Sequence, residues 1–131
     1  MMTNLDFVCM QCAQAMAAAP GKKSDKENLA TKSLGVLLEN GPYAMVLYLE
    51  TQKNDVAKRY GDRLLELLRN DMLQKCLPAV PPKYDFQKVI QWLQDVARDL
   101  DAYLFIKRLW QQALTYARYH CKAIDETTGI E

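Results

Sequence analysis

Apolar residues recur along this chain at helical spacing, and proline and glycine cut the recurrence into segments. Leu5, Val8, Cys9, Cys12 and Met16 predict a first helix from about Leu5 to Ala19, stopped by Pro20-Gly21. A charged loop over residues 22–27 leads into a second helix, from about Lys26 to Glu39. Its inward positions are Leu29, Ala30, Leu34, Leu37 and Leu38. Asn40-Gly41-Pro42 ends it, because glycine supplies the left-handed stop and proline cannot continue the ladder. Tyr43 to Leu49 is a short third helix, almost wholly apolar and therefore expected to be the most buried. The fourth spans about Asp55 to Leu77, with Val56, Tyr60, Leu64, Leu67, Leu68 and Leu73 inward. Its outer face carries both signs of charge, the pattern of a solvated surface. Pro78 to Pro82 is a stiff connector. Asp85 then caps a fifth helix, with Phe86, Val89, Ile90, Leu93, Val96 and Ala97 inward. Asp99-Leu100-Asp101 either interrupts this helix or is traversed by it. A last helix runs to about Ile124, and the tail from Asp125 is expected to fray. Leu and Ala dominate while Val, Ile and Thr are sparse, so the expectation is all-α: one bundle of five to six helices with short loops across residues 1–131.

Composition narrows the function more than the fold. A chain of 131 residues makes one domain and buries a core without disulfides or metals. The net charge of +1 gives no global pull toward nucleic acid or membrane, so any anion-binding surface must come from the distribution of charge. The N-terminus lacks a basic segment before its apolar stretch, and Asp6 and Gln11 interrupt that stretch, so no secretory signal is read. No apolar run reaches the roughly 18–20 residues of a membrane helix. The expected setting is cytoplasmic and reducing, with Cys9, Cys12, Cys76 and Cys121 as thiols.

Catalytic signals are weak. The one histidine, His120, sits among Tyr116, Ala117 and Ile124 on what reads as a core face, with no nucleophile, metal set or carboxylate pair specified beside it. Cys9-x-x-Cys12 lacks the second pair of ligands that a zinc site needs, and lies in a helix rather than beside a strand. No glycine-rich phosphate loop or nucleophile elbow is present. No catalytic residue, metal or cofactor is therefore assigned.

The last helix stands out. From Ala102 to Ile124 it has no acidic residue but carries Lys107, Arg108, Arg118 and Lys122. At 100° per residue, Ala102, Ile106, Leu109, Ala113, Tyr116, Ala117, His120 and Ile124 share one face. Arg108, Gln111, Gln112, Thr115, Arg118, Tyr119 and Lys122 share the other. That outward stripe offers point charges and amide and hydroxyl donors to a phosphate backbone. The alternative is a solvated face whose acidic partners come from other helices. Lys22, Lys23, Lys26 and Lys32 form a second basic group, diluted by Asp25 and Glu27.

Two blocks resemble a known family. Lys32 to Gly41 (KSLGVLLENG), followed by Tyr43 to Leu49, resembles the central signature of the small subunit of type III-B (Cmr) CRISPR effector complexes: a lysine, an apolar helix ending in Asn-Gly, then a short hydrophobic helix. Ala113 to Ala123 (ALTYARYHCKA) resembles that family's closing helix. Trp92 and Leu93 match a weaker aromatic-leucine position. Pro42 stands where the family usually has leucine, and Tyr116 where it has tryptophan. The resemblance implies a non-catalytic protein that stacks head to tail with copies of itself in a short filament. It also implies backbone contacts to a guide RNA paired with a target RNA, and docking against the large and backbone subunits of the complex. Lys32 matches the family lysine and Arg118 the basic residue of the closing helix. Lys107, Arg108 and Lys122 join the candidate RNA-binding set from the last helix itself. Two other readings compete: a protein–protein adaptor with an exposed apolar patch at Met45, Tyr48, Met72 and Trp110, and a small enzyme or redox protein built on Cys9, Cys12 and His120.

Overall fold

The computed structural model describes residues 4–124; the expected frayed tail from Asp125 lies outside them. Among the described residues the chain is helix and loop, with no strand. The bundle is all-α: α1 (Leu5–Ala18), α2 (Lys23–Gln52), α3 (Asp55–Leu68), the single turn α4 (Asp71–Gln74), α5 (Phe86–Val96) and α6 (Leu100–Ala123). α6 is the central element, packed mainly against α1 and α2.

Short polar residues start most of these helices. Asn4 Oδ1 accepts the N–H groups of Asp6 and Phe7, Asn54 Oδ1 that of Ala57, and Asp99 Oδ1 that of Ala102. Each satisfies a first-turn donor that has no intrahelical partner. The Asp99 cap decides the ambiguous 99–101 segment: α5 ends at Val96, and Asp99 opens a new helix. Asp85 caps α5, as its position suggests.

The Asn40-Gly41-Pro42 stop breaks α2 into two helical halves. Gly41 has φ +93°, a conformation that only glycine adopts without strain. Pro42 then begins the second half, where its missing N–H costs nothing. The next orphan donor, Tyr43 N–H, bonds to Tyr103 Oη of α6 at 3.0 Å, so α6 itself caps the break.

Two expectations need correction here. The helix predicted over Asp55 to Leu77 ends at Leu68. Asn70 takes over as the cap of a new turn, accepting from Leu73 N–H and donating to Leu67 O, and this local alternative outcompetes helix continuation. The Tyr43–Leu49 segment is not the most buried. Met45, Val46 and Leu49 face the core, but Leu47 remains 40% exposed. Only one side of that half-helix is covered.

The connector between α4 and α5 is latched down. Arg69 donates to Pro81 O at 2.8 Å, Trp92 Nε1 to Pro78 O at 3.1 Å, and Tyr84 N–H to Asp62 Oδ1 at 2.8 Å. The Tyr84 ring lies over Gly61 of α3, where a Cβ would stand 2.5 Å from the ring.

Candidate nucleic-acid interface

The candidate stripe depends on how α6 is rotated. Its buried residues are Ile106, Leu109, Trp110, Ala113, Leu114, Ala117 and Cys121. The core face is therefore turned toward Trp110, Leu114 and Cys121 relative to the sequence expectation. His120 is exposed, not in the core. Ala102, Tyr116 and Ile124, also expected inward, are only half-buried. The reason is area: Trp110 and Leu114 bury far more apolar surface than an imidazole, at about 25 cal/mol per Å². Trp110 also finds a partner for its indole N–H in Leu64 O at 3.0 Å.

The outer face survives this rotation. Arg108, Gln111, Gln112, Tyr119 and Lys122 are exposed, and Thr115 and Arg118 half-buried. Arg108 to Lys122 spans about 21 Å of helix. Arg118 leans over its neighbour, with Cζ 5.9 Å from the Tyr119 ring centroid, within cation–π range. Its Nε is buried with no hydrogen-bond partner among the described residues. Lys107 is half-buried.

Other helices supply some acidic partners. Lys122 Nζ pairs with Glu27 Oε2 of α2 at 3.0 Å. Asp6 Oδ1 of α1 accepts from Gln112 Nε2 at 2.9 Å and from Tyr116 Oη at 2.7 Å. Tyr116 and Gln112 hold the Asp6 carboxyl below its ordinary pKa. The stripe is thus partly engaged within the bundle. Lys32, Lys107 and Arg108 form no ion pair among the described residues.

The two basic groups meet only in part: Lys122 pairs with Glu27 at the start of α2, and Lys23 and Lys26 lie within electrostatic reach of Cys121 of α6, whereas Lys32 stands apart. Lys32 is exposed in a cleft with Asp25, Asn28, Tyr48, Gln52, Asn54 and Val56, to which α6 contributes nothing. Lys26 leaves the basic group altogether. It is buried, and its ammonium donates to Ala17 O at 2.6 Å and Ala19 O at 2.8 Å.

The cysteines form no site. Cys9 Sγ points to Leu109 O of α6, whereas Cys12 Sγ points to Arg63 O of α3 and to Met16 Sδ. No disulfide joins the four thiols. Burial pushes Cys9 up to about 11, helped by the Asp6 charge, and Cys12 up to about 12. Among the described residues, no group of three or more His, Cys, Asp or Glu is placed to hold a metal ion. Thiolate is the reactive form, so iodoacetamide at neutral pH should label exposed Cys76 first. Cys9, Cys12 and Cys121 should stay protected until the bundle unfolds. Fast modification of Cys9 or Cys12 in folded protein would return the redox reading to contention.

The apolar patch expected of an adaptor does not form as drawn: Met45 and Trp110 are in the core, Tyr48 is half-buried, and the Met72 side chain lies outside what the structure describes. Exposed apolar surface appears instead at Phe7 and Met10 of α1, Leu38 and Leu47 of α2, and Leu100 and Leu104 of α6. No helix among the described residues is long and apolar enough to cross a membrane. No protein-family model, curated protein or solved structure matches the chain.

Proposed function

We propose that this chain is a non-catalytic, RNA-contacting subunit of a type III CRISPR effector complex. In this reading it works in the cytoplasm, stacks with copies of itself and docks against the larger subunits. It touches the backbone of the guide RNA–target RNA duplex. The observation that carries the reading is the outward row of exposed Arg108, Gln111 and Lys122 with half-buried Arg118, on an α6 without acidic residues beyond its first turn. The two sequence blocks add the partner class. Such a row suits A-form RNA, whose deep major groove withholds base edges from side chains while its phosphates stay accessible. The Lys122–Glu27 pair is no obstacle. A partly exposed ion pair contributes about 0–1 kcal/mol, so a phosphate can displace Glu27 at little cost.

The double variant Arg118→Glu/Lys122→Glu should reduce co-purification with guide RNA and the larger subunits. Residual RNA binding should show a shallower salt dependence, since each phosphate contact contributes a slope of about −0.7 to −0.9 in log K against log salt. Normal assembly with RNA in this variant would sink the α6 assignment. A chain that travels with protein partners but never with RNA would favour the adaptor reading, now resting on Leu100 and Leu104.

A further inference from the structure

A concentration of arginine lies away from the α6 row. The end of α1, the outer face of α3 and the Pro82-Lys83 connector enclose a cleft of about 550 Å³, within the size range of small-molecule sites. Arg59, Arg63, Arg69 and Lys83 line it, with Asp62 and Glu66 as the acidic lining residues among the described side chains. Both carboxylates are engaged: Asp62 accepts the Tyr84 N–H at 2.8 Å, and Glu66 pairs with Arg63 at 2.9 Å. Among the described side chains, four cations against two anions leave the cleft positive by two.

Two arginines are held in place. Arg59 Nη1 reaches Pro20 O at 3.4 Å, and Arg69 Nη1 donates to Pro81 O at 2.8 Å. Each anchor takes one of five N–H donors, so the planar fork stays largely available while its position is set. Pre-positioning lowers the ordering cost of capturing an anion. Carbonyls at and just past the end of α1 would repel an anion here, and three of them are covered: Lys26 takes Ala17 O and Ala19 O, and Arg59 takes Pro20 O. The remaining walls are alanine and proline. They keep the cleft open between the charged heads.

We propose that this cleft is a phosphate-binding site, taking a multiply charged phosphate group on the Arg59 and Arg69 forks with Arg63 and Lys83 closing around it. Guanidinium forks match phosphate oxygens in pairs, which gives the site its preference over monovalent anions. The inference does not rest on the RNA-effector reading. Its ligand is either a free phosphorylated small molecule or a phosphate of a nucleic-acid strand.

Titrating the full chain with pyrophosphate, followed by NMR of the arginine Nε–H signals and by calorimetry, tests the site. Saturable shifts confined to Arg59, Arg63 and Arg69 are expected. Arg63→Gln/Lys83→Gln removes two exposed side chains that hold no backbone, so the fold should persist. Affinity should then drop roughly tenfold or more. Arg118→Glu/Lys122→Glu should leave pyrophosphate binding unchanged. A parallel titration with a short oligouridylate separates the sources: weakening by the cleft variant points to a strand, and indifference to it points to a free phosphate. Absence of saturable pyrophosphate binding, or equal loss in the cleft and α6 variants, would overturn the proposal.

Discussion

Replacing Trp110 with alanine should cost about 3–5 kcal/mol of folding stability, the range for truncating a large buried aromatic. Trp110 is 1% exposed and lies at the centre of α6, the helix to which α1 and α2 both pack. Its removal opens a cavity that neighbours such as Leu64, held in its own helix, fill only in part. It also removes the indole N–H donor from Leu64 O, although that carbonyl keeps its place in the α3 ladder. Stabilities of single domains are about 5–15 kcal/mol, so this one change removes a large share of the total. Urea unfolding followed by far-ultraviolet circular dichroism gives the measurement. Trp110→Phe, which keeps most of the volume but not the donor, should lose distinctly less. A Trp110→Ala variant within about 1 kcal/mol of the parent protein would contradict the placement of α6.

Lys26→Met is the second large effect. A buried lysine is rare unless it is paired, and Lys26 is 7% exposed. Its partners are the carbonyls of Ala17 and Ala19, where α1 has run out of its own donors. Methionine preserves the apolar stem but offers those carbonyls nothing. Two charge-assisted bonds are lost, leaving one buried and one half-buried acceptor unpaired, for an expected cost of about 2–4 kcal/mol. Tyr60 Oη donates to the backbone carbonyl of residue 26, not its side chain, so that contact should survive. Unchanged stability in Lys26→Met would mean that desolvating the ammonium cancels its hydrogen bonds, and that Lys26 is not the clasp between α1 and α2.

Much of the architecture was legible in local chemistry. Gly41-Pro42 announced a break, and the structure has one, because a positive φ followed by a missing donor leaves a helix no other course. Asp85 announced the start of α5 in the same way. What failed was whatever depends on a competing partner elsewhere. Asn70 looked like one more polar residue on a long helix, yet its side chain opens a new turn. The α6 wheel offered two neighbouring rotations. The choice between them was made by the Leu64 carbonyl and the space around Trp110, which no periodicity encodes.

The candidate sites show the same limit. The polar side of α6 was located, but His120 was assigned to the core, Trp110, Leu114 and Cys121 were not, and Thr115 and Arg118 of the outward set are half-buried. Glu27 and Asp6 could not be matched with Lys122 and Gln112, because they come from α2 and α1. Lys26 counted as a surface charge until its position beneath α1 was known. The arginine cleft was hidden most completely. Arg59 and Arg63 of α3, and Arg69 just past its end, are interspersed with carboxylates and read as an ordinary solvated face. Only folding brings Lys83 beside them and ties Asp62 to the Tyr84 N–H.

The pairing of α1 with α6 bears on how the bundle is made. Asp6 meets Tyr116, and Cys9 meets Leu109, across most of the length of the chain. During synthesis, at about 5–20 residues per second, roughly 4–16 s separate the appearance of α1 from the start of α6. Throughout that interval the inward side of α1 has no central helix to lie against. The contact that seats α1 on the central helix is therefore among the last the bundle can make, and until then the inward side of α1 must be sheltered in another way.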